Sequence, residues 1–167
     1  MILPDAAAAV AALRAAGRTA ATCESLTGGL LGAAITAVPG ASVVYRGGLI
    51  TYATDSKETL AGVPARVLAR YGAVSPETAE LLADGARRRL GADVAVALTG
   101  VAGPDPQEGH PAGTVWVGWA DGRDRGADRV TVAAAAVAAG RSEVRYAAAT
   151  AALARLVDLG AAASGGE

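Results

Sequence analysis

The chain has 167 residues, a formal net charge of -1, one cysteine and no phenylalanine. That length suits a single domain with a real core, the near-neutral balance argues against nucleic acid as the main partner, and a lone cysteine excludes an internal disulfide, which fits the cytoplasm. No apolar run is long and clean enough to span a bilayer, and the N-terminus lacks the charged start, apolar centre and cleavage site of a signal peptide.

Residues 5–16 read as a helix, with Pro4 near its start, Val10 and Leu13 at helical spacing and Gly17 as its stop. A strand is predicted over 18–23. The stretch Glu24-Ser25-Leu26-Thr27-Gly28-Gly29 follows, and residues 30–38 then give a helix whose apolar face is Leu30, Leu31, Ala34, Ile35 and Val38, ended by Pro39-Gly40. A hydroxyl therefore sits where a strand becomes a helix, ahead of two glycines. Helix-start N–H groups and the helix dipole favour negative charge there, and glycine lets a substrate approach the backbone. The competing reading makes Ser25 or Thr27 a plain N-cap.

Residues 42–51 read as a strand in which Gly47-Gly48 marks a bulge or a close backbone approach. Asp55 and Glu58 then have capping-box spacing, which puts Lys57 in the first turn of a short helix. The chain holds fourteen arginines and this single lysine. Lysine can lose its proton when desolvated and act as a base, whereas guanidinium does not. The helix dipole and burial both act to lower a lysine pKa at a helix start. The competing reading is an exposed lysine left by compositional bias.

A helix over 64–71 closes at Gly72. Ser75-Pro76 opens a longer one that runs to Leu90 and Gly91, with Arg87, Arg88 and Arg89 in its last turn. Residues 94–98 are short, apolar and rich in valine, a buried strand. A loop over 99–104 leaves it, and 107–111 form an exposed loop. Residues 114–120 are a strand with Trp116 and Trp119, 121–128 a polar turn, 129–137 the last strand and 142–159 the last helix, with a frayed tail over 161–167. One domain over 1–160 results. Three strands in a row with short joins require antiparallel pairing, so the expected class is α/β, a three-layer α/β/α sandwich with a mixed, mainly parallel sheet.

No residues have metal-ligand spacing. The only histidine, His110, lies in the exposed loop, which disfavours a Ser-His-Asp triad. Cys23 faces the same way as Ser25 on a strand and reads as a buried structural thiol. A serine at one helix start and the lone lysine at another remain, the parts of a Ser-Lys dyad for acyl transfer.

Five blocks occur in order: Glu24-Ser25-Leu26-Thr27-Gly28-Gly29, Gly48-Leu49-Ile50-Thr51-Tyr52 with Lys57, Gly72-Ala73-Val74-Ser75, Thr99-Gly100-Val101-Ala102-Gly103-Pro104 and Pro111-Ala112-Gly113-Thr114-Val115. With them the chain closely resembles the CinA C-terminal domain family, the nicotinamide-nucleotide amidases. The resemblance covers nearly the whole chain. It implies the mixed-sheet α/β/α fold, hydrolysis of nicotinamide mononucleotide to nicotinic acid mononucleotide and ammonia, a homodimer or higher homo-oligomer, and no cofactor. It implies Ser25 as nucleophile, Lys57 as base and Tyr52 as a supporting hydroxyl, with Glu24, Thr27, Gly28, Gly29, Thr99, Gly100 and Gly103 on the substrate side. In the mechanism that follows, N–H groups near Thr27 and Gly28 stabilise the oxyanion. Arg141 or Arg145 holds the substrate phosphate, Arg145 having a solvated helix position as its alternative. The sequence departs from the family pattern at Ala53-Thr54, Ala139-Gly140 and His110. Many members are fused to an N-terminal domain, for which this chain starts too close to its first helix. The alternatives are an amidase for another carboxamide and a catalytically silent module that binds a nucleotide or a partner.

Overall fold

The computed structural model describes residue 3 and residues 5–162; the expectations for Pro4 and for 163–167 lie outside them. The chain runs α1 (Asp5–Ala15), β1 (Ala20–Glu24), α2 (Leu30–Thr36), β2 (Tyr45–Ile50), α3 (Thr54–Ala61), α4 (Ala65–Tyr71), α5 (Pro76–Leu90), β3 (Val94–Gly100), β4 (Val115–Ala120), β5 (Arg125–Arg129), α6 (Ala134–Ala139) and α7 (Arg141–Ala161). The five strands form one sheet in the order β2-β1-β3-β4-β5. β1 pairs parallel with both β2 and β3, while β3–β4 and β4–β5 are antiparallel, so only β4 runs against the other four.

Strand periodicity sorts the two helical layers. Ala20 of β1 and Val94, Val96 and Leu98 of β3 turn to the face covered by α1, α2 and α7. The alternate residues Ala21, Cys23, Ala95 and Ala97 turn to the face covered by α3, α4 and α5. The result is the expected three-layer α/β/α sandwich with a mixed sheet. α2 leaves the carboxyl end of β1 toward one face, and α3 leaves the carboxyl end of β2 toward the other. Divergent connections of this kind open a crevice at the strand ends, where α/β folds bind their ligands.

Four local expectations change. The last strand is not 129–137 but Arg125–Arg129, and the following alanines form α6 instead. Alanine is the best helix former, which settles 134–139. The true strand was hidden by its composition, since it is polar and half exposed; it is fixed by pairing, with Gly126 beside the Trp119 ring and the Arg129 guanidinium 5.5 Å from the centre of the Trp116 ring. The strand expected over 42–51 begins with a short 3-10 turn at Ala41–Val43. The register of β1 against β2 skips Arg46, the bulge that Gly47 (φ 138) permits. β3 extends through Thr99 and Gly100, which were read as loop. Asp55 and Glu58 form no capping box, because α3 starts after Ala53 and no side chain caps it. By contrast Ser75 accepts the Thr78 N–H at 3.2 Å with Pro76 in the first turn, as its pattern predicts.

α3 reaches the sheet because α5 lets it. A Cβ added at Gly85 of α5 would overlap the Ala61 carbonyl at the end of α3. Alanine favours a helix over glycine by about 1 kcal/mol, but a clash with backbone has no side chain to rotate away. Gly85→Ala is expected to lower stability by about 1–3 kcal/mol, the range for overpacking, read as a lower denaturant midpoint at unchanged slope.

Candidate active site

Ser25 follows the last residue of β1 and donates its backbone N–H to the Leu98 carbonyl at 2.9 Å, so it continues the β1–β3 pairing by one residue. Parity turns its side chain to the same face as Cys23, the face that α3 covers. Lys57 meets it there. Its Nζ lies 3.1 Å from Ser25 Oγ, 2.7 Å from the Thr51 carbonyl oxygen and 3.4 Å from the Tyr52 carbonyl oxygen. The chain's one lysine is 1% exposed, and no carboxylate is among those three partners. Burial lowers its pKa from the ordinary lysine value of 10.5, with the nearby Glu108 carboxylate acting the other way.

Cys23 lies under this pair, fully buried, with its Sγ 3.5 Å from Thr51 Oγ1. Burial pushes its thiol up to about 11. A cysteine in that state stays a thiol near neutrality, and the thiolate is the nucleophile.

The turn after Ser25 does not follow the competing reading of a plain N-cap. The residue that caps α2 is Gly29 (φ 101), and neither Ser25 nor Thr27 supplies a side-chain cap. The Glu24 carboxylate does this work from the end of β1. Its Oε2 accepts the N–H groups of Gly29 and Leu31 at 3.0 Å each, and its Oε1 accepts that of Gly32 at 2.8 Å. Gly28 (φ 59) and Gly29 are left-handed, which bends the chain so that these donors return to Glu24. Gly28 N–H is also engaged, donating to the Ser25 carbonyl at 3.1 Å. The N–H groups of Leu26 and Thr27 have no partner among the described residues, and Thr27 is wholly buried. On the other side Arg145 of α7 donates from Nε to the Leu26 carbonyl at 3.1 Å and from Nη2 to the Thr27 carbonyl at 2.8 Å. It is half-buried and fastened to backbone through two of its three nitrogens, so it is not a solvated helix residue.

Ser25 and Lys57 open into a cavity of about 350 Å³. Of the residues singled out from sequence, Tyr52, Thr99, Gly100, Gly103 and Arg141 line it too; Glu24, Thr27, Gly28 and Gly29 do not. Thr99 Oγ1 donates to the Ala73 carbonyl at 2.6 Å. At Gly100 a Cβ would press on the Thr114 carbonyl and Val115, and at Gly103 (φ 85) on Ala112. Tyr52 is exposed, and its hydroxyl accepts from Arg141 Nη2 at 3.0 Å, while Arg141 Nη1 donates to the Gly103 carbonyl at 3.0 Å. The Tyr52 group that touches Lys57 is therefore its backbone carbonyl, and its ring and hydroxyl form part of the mouth with Arg141.

One participant escaped the sequence. Glu108, at φ 50, sends its carboxylate to the N–H groups of Ala73 at 3.2 Å and Val74 at 3.1 Å, both cavity-lining residues. A Cβ on Gly72 would collide with that carboxylate. The only written signal was the glycine of Gly72-Ala73-Val74, which marks a close approach without naming the partner. Among the described residues no group of three or more histidine, cysteine or acidic side chains is placed to hold a metal ion, and no helix is long and apolar enough to cross a membrane.

A model of the CinA C-terminal domain matches residues 4–159. A CinA-like protein from Frankia casuarinae is 53% identical over 102 residues, which are 61% of this chain and 24% of that protein. The chain spans about a quarter of the length of the curated relatives it matches. Among solved structures, a competence-damaged protein (CinA) superfamily protein from Klebsiella pneumoniae superposes with a TM-score of 0.88 at 32% identity, covering 95% of this chain and 96% of that one. One of the same superfamily from Escherichia coli gives 0.86 at 34% identity, over 93% and 88% of the two chains. A family match from end to end of the sheet and helices, with the same fold in its solved relatives, leads to one conclusion: the chain belongs to the CinA C-terminal domain family.

Proposed function

We propose that this chain is an amidase that hydrolyses the carboxamide of nicotinamide mononucleotide to nicotinic acid mononucleotide and ammonia through an acyl-enzyme on Ser25. The observation that carries the reading is the buried Lys57 amine 3.1 Å from Ser25 Oγ, both residues lining one cavity. A desolvated lysine with no carboxylate among its partners holds its proton less tightly than an exposed one, which suits it to act as a base.

Neutral Lys57 takes the Ser25 proton as Oγ bonds to the carboxamide carbon. Charge develops on the carbonyl oxygen, facing the free N–H group of Leu26, which lines the cavity beside Ser25. The carbon–nitrogen bond breaks as the Lys57 ammonium returns the proton to the leaving nitrogen, which departs as ammonia. Water then gives a proton to Lys57 and attacks the ester, and Ser25 leaves with that proton restored. Arg141 at the mouth offers the substrate phosphate a planar fork of donors, and Thr99, Gly100 and Gly103 border the nucleotide. The reading includes a cytoplasmic homo-oligomer that works without a cofactor.

Ammonia release from nicotinamide mononucleotide by the purified protein tests the proposal. A protein that binds the nucleotide and releases none is a binding module instead. Ser25→Ala is expected to abolish turnover with nucleotide binding kept; near-normal turnover in Ser25→Ala together with loss in Cys23→Ser would name the wrong nucleophile.

Lys57→Arg is expected to lose nearly as much turnover as Lys57→Ala, about 10²–10⁴-fold for a missing general base, because guanidinium keeps its proton. A large share of wild-type turnover in Lys57→Arg would move Lys57 into substrate binding. The pH profile has a fixed sign. The protonated amine is no base, so the rate rises with pH as Lys57 deprotonates. Burial lowers its pKa, so the plateau is reached below the ordinary lysine range. A rate that falls over that rise would reverse the assignment.

A further inference from the structure

We infer that Arg145 is the positioning residue that builds the oxyanion site of this turn, an inference that rests on the amidase reading. A peptide unit is planar and trans, so its C=O and N–H point in opposite directions, and holding the carbonyl sets the N–H. Arg145 Nε holds the Leu26 carbonyl, which shares its peptide with the Thr27 N–H. Arg145 Nη2 holds the Thr27 carbonyl, which shares its peptide with the Gly28 N–H. That N–H donates to the Ser25 carbonyl, which shares its peptide with the Leu26 N–H. Three successive planes are thus linked to one guanidinium, with the Leu30 N–H sharing the Thr27 carbonyl at 3.2 Å. The Leu26 N–H, the one of the two N–H groups without a partner among the described residues that belongs to a cavity-lining residue, stands at the end of this chain of contacts.

The grip needs a counterweight, and Glu24 provides it. Glu24 takes the N–H groups of Gly29, Leu31 and Gly32 from the strand side, 2% exposed. Carbonyls are held by a cation from α7 and N–H groups by an anion from β1, so the turn cannot rotate as a unit. The flexible element between the two grips is Gly28-Gly29. Left-handed glycines are residues whose adjoining peptides flip readily, and a flip of the Thr27–Gly28 plane held by Arg145 would break the Gly28 hydrogen bond that sets the plane of the Leu26 N–H. A guanidinium suits this role because its fork meets two acceptors at once, which an ammonium, a point donor, does not reproduce.

The test uses Arg145→Met and Arg145→Lys, the second keeping the charge and one donor in case the first does not fold. Two rates are measured for each: ammonia release from nicotinamide mononucleotide, and covalent labelling of Ser25 by a fluorophosphonate followed by intact mass. Arg145→Met is expected to lose about 10²–10³-fold in kcat, the loss typical of one oxyanion donor, with KM little changed. Labelling falls in parallel, and Arg145→Lys lies between. The pH midpoint of the remaining activity stays at its wild-type position, since Lys57 is untouched; a loosened fold would move it. Wild-type kcat and labelling in both variants overturns the inference and leaves the amidase reading standing. A raised KM with kcat kept also overturns it, making Arg145 a substrate ligand. A wild-type protein that neither labels at Ser25 nor releases ammonia overturns the amidase reading and this inference with it.

Discussion

Placing one lysine amine out of water beside a hydroxyl is the constraint on which the rest of this structure depends. An ammonium buried without a carboxylate is costly, and the group answers by releasing its proton more easily. Lys57 is in that position: its Nζ contacts are Ser25 Oγ and the carbonyls of Thr51 and Tyr52. To reach them α3 must lie close to the sheet, and close approach is built from small groups. Gly85 of α5 abuts the Ala61 carbonyl, and Ala83 and Ala86 pack in the same layer. The alanine-rich composition is the material of that packing, because small side chains let helices and sheet approach.

The strand-to-helix turn assigns its polar groups in a way that a helix dipole alone does not explain. The start of α2 does not offer its N–H groups to the cavity; Glu24 has taken three of them. A buried carboxylate there is stabilised by the same field that would have favoured an anionic intermediate. The helix is thereby fastened to β1, and the N–H groups without a partner among the described residues, those of Leu26 and Thr27, belong to the turn itself.

Much of this was legible. The strand-to-helix hydroxyl, the lone lysine and the Ser75-Pro76 helix start each have a local cause, and their positions hold. The division of the turn was not legible, because Glu24 and Arg145 act on backbone groups, and backbone partners leave no trace in residue type. Arg145 in the sequence has the look of any surface arginine on a helix. Its contacts lie 119 and 118 residues away along the chain. β5 was misplaced for a related reason. Its residues carry no apolar alternation, and only the pairing partner, β4, makes Arg125–Arg129 a strand. Glu108 was missed because its carboxylate also meets backbone, the N–H groups of Ala73 and Val74.

Glu108 ties the two halves of the site together. Its carboxylate holds the loop after β3 against the Ala73-Val74 segment, and both border the cavity. The same charge acts on Lys57 in the direction that favours the ammonium. Two backbone N–H donors take that carboxylate, while the hydrogen bonds of Lys57 Nζ go to Ser25 and to the carbonyls of Thr51 and Tyr52, so this wall of the cavity is fastened by an anion paired with backbone and not with the lysine.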